Sequence, residues 1–85
     1  MGYRRPVPQK LPAKLLAIRE AFGASQVHMA RALNFKQTAF KMTAARIWEY
    51  EQGKREPNLL VLLAYGRLAD VPVEQLIDDQ VELAL

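Results

Sequence analysis

Few side chains in this chain are able to carry covalent, acid–base or metal chemistry. It has one histidine, His28, and no cysteine, which excludes a thiolate nucleophile, a disulfide framework and a zinc–thiolate site. No Gly-rich phosphate loop occurs, and we interpret the adjacent carboxylates Asp78 and Asp79 as solvated groups at a helix end. We therefore expect no enzyme activity, no metal ion and no cofactor.

What the chain does offer is charge. Residues 1–55 hold eleven Lys and Arg against three Glu, whereas residues 56–85 hold one Arg against six Asp and Glu. The first part therefore carries a net charge of +8 and the second part −5, within a total of +3. This division predicts a basic surface that faces a polyanion and an acidic surface that faces another partner. A solvated surface with unevenly placed charges explains it equally well.

The length and composition limit the chain to one small globular domain. Eighty-five residues, of which 51% are hydrophobic and 25% charged, are enough for one core but not for two. The longest apolar run, residues 59–65, is much shorter than the roughly 20 residues that cross a membrane. We therefore expect no membrane segment and, since cysteine is absent, a cytoplasmic location.

Helical periodicity and capping residues predict the elements. Residues 1–10 contain two prolines and the basic residues Arg4, Arg5 and Lys10, which predicts a flexible basic arm that either tracks phosphates or is simply disordered. Helices are predicted over residues 11–22, 26–33, 44–53 and 59–68, with one or two further turns around Leu76. The fourth helix, the most apolar, should be the most buried. The domain then covers residues 11–80 and a tail covers residues 81–85.

The same signals mark the helix ends. The expected N-caps are Ser25, Thr43 and Asn58, and the expected C-terminal glycines are Gly23 and Gly53. On the third helix this places Ile47, Tyr50 and Glu51 toward the core, with Ala45, Arg46, Trp48 and Glu49 outward.

Several short segments follow one another in a recognisable order. They are Ile-Arg-Glu at 18–20, Ala-Ser-Gln at 24–26, Met-Ala-Arg-Ala-Leu at 29–33, Ile-Trp-Glu-Tyr-Glu-Gln-Gly at 47–53, and Arg-Glu-Pro at 55–57, followed by leucines at 59, 60 and 63, Val71 and Leu76-Ile77. Together these segments, over residues 12–78, resemble the Cro/C1-type (XRE) helix-turn-helix family. The resemblance implies an all-α, compact five-helix, lambda-repressor-like domain. It also implies a bacterial or phage-type transcriptional regulator that binds double-stranded DNA as a homodimer.

One connection departs from the family pattern. Residues 34–42 make the link between the second and third helices about seven residues longer than the usual turn of three or four. This insertion carries two lysines and two phenylalanines. It is able to extend a helix end, wrap the core or reach DNA.

In the family the third helix enters the major groove, which presents a distinct pattern for each base pair. The matching base-reading positions here are Thr43, Ala44, Ala45, Arg46 and Glu49. The two alanines offer only methyl contacts. Recognition of bases by hydrogen bonds therefore depends on Arg46, which can donate two bonds to a guanine, and on Glu49, which can accept a bond from cytosine N4. A phosphate contact or a solvated charge is the alternative for Arg46.

Other positions match contacts to the DNA backbone. They are Gln26, at the electropositive start of the second helix, and Lys54, Arg55 and Asn58 around the start of the fourth. Lys36 and Lys41, in the insertion, are further candidates by their charge. The alternative is that these are ordinary solvated polar residues.

Three residues of the resembling pattern have other expected roles. Arg19 and Glu51 match a structural salt bridge between the first and third helices of several family members. Trp48 lies outward on the third helix, where we expect it to pack against Phe40 or Met42, with a contact to DNA sugar or a thymine methyl as the alternative.

A second function class remains open on the same scaffold. The acidic final residues and the bland Ala44 and Ala45 also fit an antitoxin-like or adaptor module that binds a protein partner through its acidic C-terminal face. The end of the chain further offers an apolar stripe for a homodimer, made of Val73, Leu76, Ile77, Val81, Leu83 and Leu85.

Overall fold

The computed structural model describes residues 7–35 and 37–85, and over these residues the chain folds into five helices without any strand. They are α1 (Leu11–Ala21), α2 (Gln26–Asn34), α3 (Ala44–Glu51), α4 (Leu59–Ala69) and α5 (Glu74–Ile77). The ends of the first four lie within two residues of the predicted ends, so the all-helical class is confirmed. Residues 1–6 of the predicted arm, with Arg4 and Arg5, and Lys36 lie outside the described residues. No helix in the described part has the length and apolar character needed to cross a bilayer.

Local capping explains where the helices begin and end. Ser25, Thr43 and Asn58 each accept the backbone N–H three residues later, at 3.1, 3.2 and 2.9 Å. Gly23 and Gly53 follow the C-caps of α1 and α3 with φ of +62° and +71°. This left-handed conformation favours glycine, so all five predicted end signals are confirmed.

The helices pack around one core. α1 contacts α3, α4 and α5, while α2 contacts α3 and α4. Every helix contributes at least one side chain that is almost completely buried, and the most buried are Leu15, Ile18, Met29, Ile47, Tyr65 and Leu76. Because helices this short are marginal alone, this shared burial is what stabilises them.

The prediction that α4 is the most buried element is wrong for its first turn. Leu59 and Leu60 are 80% and 51% exposed, whereas Val61, Leu62 and Tyr65 are buried. The buried positions lie on one face of the helix, the face that α1 and α2 cover. A helix at the outside of a small domain buries only that stripe, however apolar its other face is.

The C-terminal residues fold back onto α1 and do not form a separate tail. The buried ammonium group of Lys14 donates to the carbonyl oxygens of Gln75, Asp78 and Val81 at 2.6, 3.0 and 2.8 Å. Further on, Leu83 packs against the core and the backbone N–H of residue 84 donates to Gln75 Oε1 at 2.9 Å. The folded unit therefore extends beyond the predicted boundary at residue 80.

Asp79 remains accessible to solvent, but it also has hydrogen-bond partners that we did not expect. Its two oxygens accept the backbone N–H groups of Gln9 and Lys10, at 2.8 and 3.0 Å, just before α1 begins. The bonds from Lys10 and Gln9 hold the pKa of Asp79 below its ordinary value. Since Lys10 provides no side-chain cap for α1, Asp79 supplies an acceptor from the far end of the chain.

The insertion wraps the core. Asn34, the last residue of α2, bonds both backbone groups of Met42, with distances of 2.7 and 2.9 Å. The side-chain amide of Gln37 donates to the carbonyls of Leu33 and Phe40 and accepts the Phe40 N–H. These bonds link the two sides of the insertion. Met42 is buried and Phe40 packs against the core. Of the three alternatives, the structure therefore favours core wrapping over a longer helix.

Candidate nucleic-acid interface

The third helix has one face fixed in the protein and one face open. Ile47, Tyr50 and Glu51 are buried, as the capping and periodicity predict. On the opposite face Ala45, Arg46 and Trp48 are exposed and Ala44 and Glu49 are half-buried. The outward face therefore consists of small, charged and aromatic side chains that no other described element covers completely.

A partly buried ion pair anchors the C-terminal end of α3. Nε and Nη2 of Arg19 donate to the two carboxylate oxygens of Glu51, at 2.7 and 3.0 Å, and the Glu51 side chain is only 3% exposed. The hydrogen bond to Glu51 also raises the pKa of Arg19. The structure thus brings together the two residues that the resemblance pairs, and it fixes α3 to α1.

The amide of Gln26 joins the same network. Its Nε2 donates to Glu51 Oε1 at 3.1 Å, while Nη1 of Arg19 donates to the carbonyl of Ala24 at 3.0 Å. The start of α2, the loop before it and the end of α3 are therefore held by one carboxylate and one guanidinium. Gln26, expected at the DNA backbone, also has this internal role.

Two cations follow α3 and each contacts a side chain of that helix. Nζ of Lys54 lies 5.7 Å from the centre of the Trp48 ring, and Nε of Arg55 lies 3.1 Å from Glu49 Oε1. Trp48 itself is 44% exposed. The ammonium group of Lys54 is thus one neighbour of the ring, while Met42 and Phe40, its expected neighbours, belong to the core or pack against it.

Arg46 stands at the first turn of α3. Its side chain is exposed and its guanidinium lies near the Tyr50 hydroxyl, where it partly offsets the burial that raises the pKa of Tyr50. Lys41, also exposed, precedes the helix. Together with Lys54 and Arg55, these residues place cations before, along and after α3.

Two predicted contact residues also serve as helix caps. The oxygens of Thr43 and Asn58 accept backbone N–H groups of α3 and α4. The Asn58 amide retains Nδ2 as a donor, and a threonine hydroxyl that accepts one bond still has a hydrogen to donate. Capping and a contact to phosphate or base are therefore chemically compatible at both positions.

The sequence did not predict that Lys54 and Arg55, in the turn after α3, contact side chains of that helix. Trp48 and Lys54, like Glu49 and Arg55, are six residues apart, a spacing that has no regular meaning on a helix. They meet because the chain reverses at Gly53, and that glycine was the one usable signal.

Among residues 7–35 and 37–85, no three His, Asp or Glu side chains are grouped so that they could hold a metal ion. No protein-family model matches the chain and no curated protein matches it significantly.

Proposed function

We propose that the protein is a sequence-specific DNA-binding transcriptional regulator of the Cro/C1 type that inserts α3 into the major groove of an operator. The observation that carries this proposal is the state of α3: its inner face is locked by Ile47 and Glu51, while its outer face is open and has cations at both ends. A major groove accepts one α-helix, and phosphates on both sides attract the flanking charge.

The residues in and around α3 divide into base contacts and phosphate contacts in this proposal. Arg46 forks to O6 and N7 of a guanine, and the methyl groups of Thr43, Ala44 and Ala45 contact thymine methyls. Phosphate contacts come from Gln26 and Asn58 at two helix starts and from Lys41, Lys54 and Arg55. The basic surface then faces DNA and the acidic end of the chain faces away from it.

Selection of bound duplexes from a random DNA pool at physiological salt tests this function. We expect an enriched sequence, and we expect Arg46→Ala to relax selection at one base pair at a cost of about 1–3 kcal/mol. Arg67→Ala is the matched control, because it removes the same charge from an exposed position on α4. No enrichment together with no affinity at low salt contradicts the proposal.

We also propose that the protein binds a palindrome as a homodimer, with recognition helices about 34–36 Å apart. Ile77, Val81 and Leu85 of the predicted stripe are exposed, and Ile77 shares a groove of about 470 Å³ with Leu59. Leu76, in contrast, is completely buried and belongs to the core. Sedimentation equilibrium of the wild type and of Ile77→Glu tests this: a monomeric wild type contradicts it.

A protein-interaction module is the second candidate. The observation that favours it is the exposure of Leu59 and Leu60, together with that of Glu74 and Glu82 in the acidic last third of the chain. Exposed apolar side chains and exposed carboxylates on one small domain suit a basic, partly apolar partner. A wild-type protein without DNA affinity at low salt would favour this function.

A further inference from the structure

The turn after α3 carries two cations that the helix itself holds in place. Consecutive residues of α3, Trp48 and Glu49, contact the consecutive residues Lys54 and Arg55. We propose that Trp48 and Glu49 are positioning residues that hold these cations ready for DNA phosphates, and that Glu49 does not read a base. The inference rests on the proposed DNA-binding function.

The geometry of Arg55 leaves its recognition surface available. The bond to Glu49 uses Nε, and a guanidinium has four further N–H donors on its two terminal nitrogens. These terminal donors match the spacing of two phosphate oxygens, so a guanidinium held at Nε can still bind a phosphate in a bidentate manner. Glu49 thereby fixes the direction in which the fork of Arg55 points.

A contact between Glu49 and a base would disrupt the ion pair that Glu49 forms with Arg55. Its carboxylate is paired with Arg55 at 3.1 Å, and both side chains remain partly exposed. Turning the carboxylate toward a cytosine would break that pair and move a negative charge toward the phosphates without its counterion. Retaining the pair screens the carboxylate and orients Arg55 at once, so a positioning role suits this charge better than readout.

The Trp48 ring acts similarly on Lys54. The distance of 5.7 Å from Nζ to the ring centre lies within the range of about 6 Å for a cation–π contact. A lysine has four rotatable bonds, and holding its ammonium over a ring reduces the freedom that it must lose on binding. The exposed ring of Trp48 thus restricts the position of Lys54 before DNA arrives.

Glu49→Gln is the decisive variant, because the alternatives predict different directions. If Glu49 positions Arg55, affinity falls about three- to tenfold on every duplex, and the dependence of log K on log salt becomes shallower by up to about 0.9, the value of one phosphate contact. In an Arg55→Ala background, the same substitution should then change affinity by less than about twofold.

The other outcomes overturn the proposal. A rise in affinity means that Glu49 only repels DNA, and relaxed selection at a single base pair means that it reads a base. Unchanged affinity, or an equal loss with and without Arg55, excludes positioning as well. If the wild type itself does not bind DNA at low salt, the proposed function fails together with this inference, and that result is visible before any variant is compared.

The role of Trp48 is tested in the same way, by comparing the effect of its substitution with and without Lys54. Trp48→Leu should weaken binding to all duplexes, and most of that loss should disappear in a Lys54→Ala background. A loss that persists there means that the ring contacts DNA directly, which overturns its positioning role. The melting temperatures of the Glu49→Gln and Trp48→Leu variants are measured alongside, because both side chains lie at the surface and neither substitution should unfold the domain.

Discussion

The ammonium group of Lys14 lies 2.8 Å from the carbonyl oxygen of Val81, sixty-seven residues further along the chain. The same nitrogen also donates to the carbonyls of Gln75 and Asp78. All three N–H donors of a buried cation are therefore bound to the C-terminal segment, which α1 holds in place. A charge in this position is tolerated because each of its donors has an acceptor.

Replacing Lys14 with methionine should destabilise the domain and release this segment. The substitution keeps most of the apolar stem but leaves three carbonyl oxygens without the ammonium, at an expected cost of about 2–3 kcal/mol. Urea denaturation measures the loss, and amide hydrogen exchange of residues 78–84 should accelerate. Lys10→Met, at an exposed position, is the control. Equal stability of the two variants would show that the Lys14 bonds contribute nothing.

Glu51→Gln should lower the free energy of unfolding by about 3 kcal/mol, because it leaves the partly buried guanidinium of Arg19 without its counterion. For a domain of this size the melting temperature should fall by roughly 4–8 °C for each kcal/mol. Glu49→Gln makes the same chemical change at a half-exposed pair and should lower stability by less than about 1 kcal/mol. Thermal unfolding followed by circular dichroism compares them, and an unchanged transition for Glu51→Gln would refute a stabilising role of the pair.

Asp79 should make the stability of the domain depend on pH in the acidic pH range. The pKa of Asp79 is lower in the folded protein than in the unfolded chain, where it is about 3.9. The stability that the ionised side chain contributes is therefore fully present above about pH 3.9. The contribution is lost as the pH falls through the folded pKa. The melting temperature of the wild type should therefore exceed that of Asp79→Asn near pH 7, and the difference should disappear as the pH falls through the folded pKa of Asp79. Glu82→Gln, at an exposed position, is the control.

Asn34→Ala should loosen the insertion. Both polar atoms of this amide bond the backbone of buried Met42, so the variant leaves a buried N–H and carbonyl without those partners, at a cost of about 2 kcal/mol. Chemical denaturation measures the cost, and Thr38→Ala, at an exposed position of the same segment, is the control. Unfolding midpoints that do not differ between the two would show that the Asn34 bonds do not hold the segment.

Local signals were sufficient for the helices and for the two faces of α3. Ser25, Thr43 and Asn58 act on N–H groups three residues away, and Gly53 acts on its own backbone, so neighbouring residues alone decide these ends. The helical period then places Ile47 inward and Arg46 outward, whatever the rest of the chain does. The Arg19–Glu51 pair was available only through the resemblance, since nothing local links these two residues.

The remaining features depend on which surfaces meet. A lysine in a helical pattern predicts a solvated charge, and Lys14 is buried only because carbonyls of the last residues converge on it. Asp79 similarly finds the N–H groups before α1 only after α5 has packed against that helix. Leu59 is exposed because it lies outside the face of α4 that packs on the core, although its type predicts burial. The sequence by itself determined the helices, their caps and the composition of the outward face of α3. The tertiary structure decided which charges are buried, paired or left at the surface, because desolvation and hydrogen bonding depend on groups that are distant in sequence.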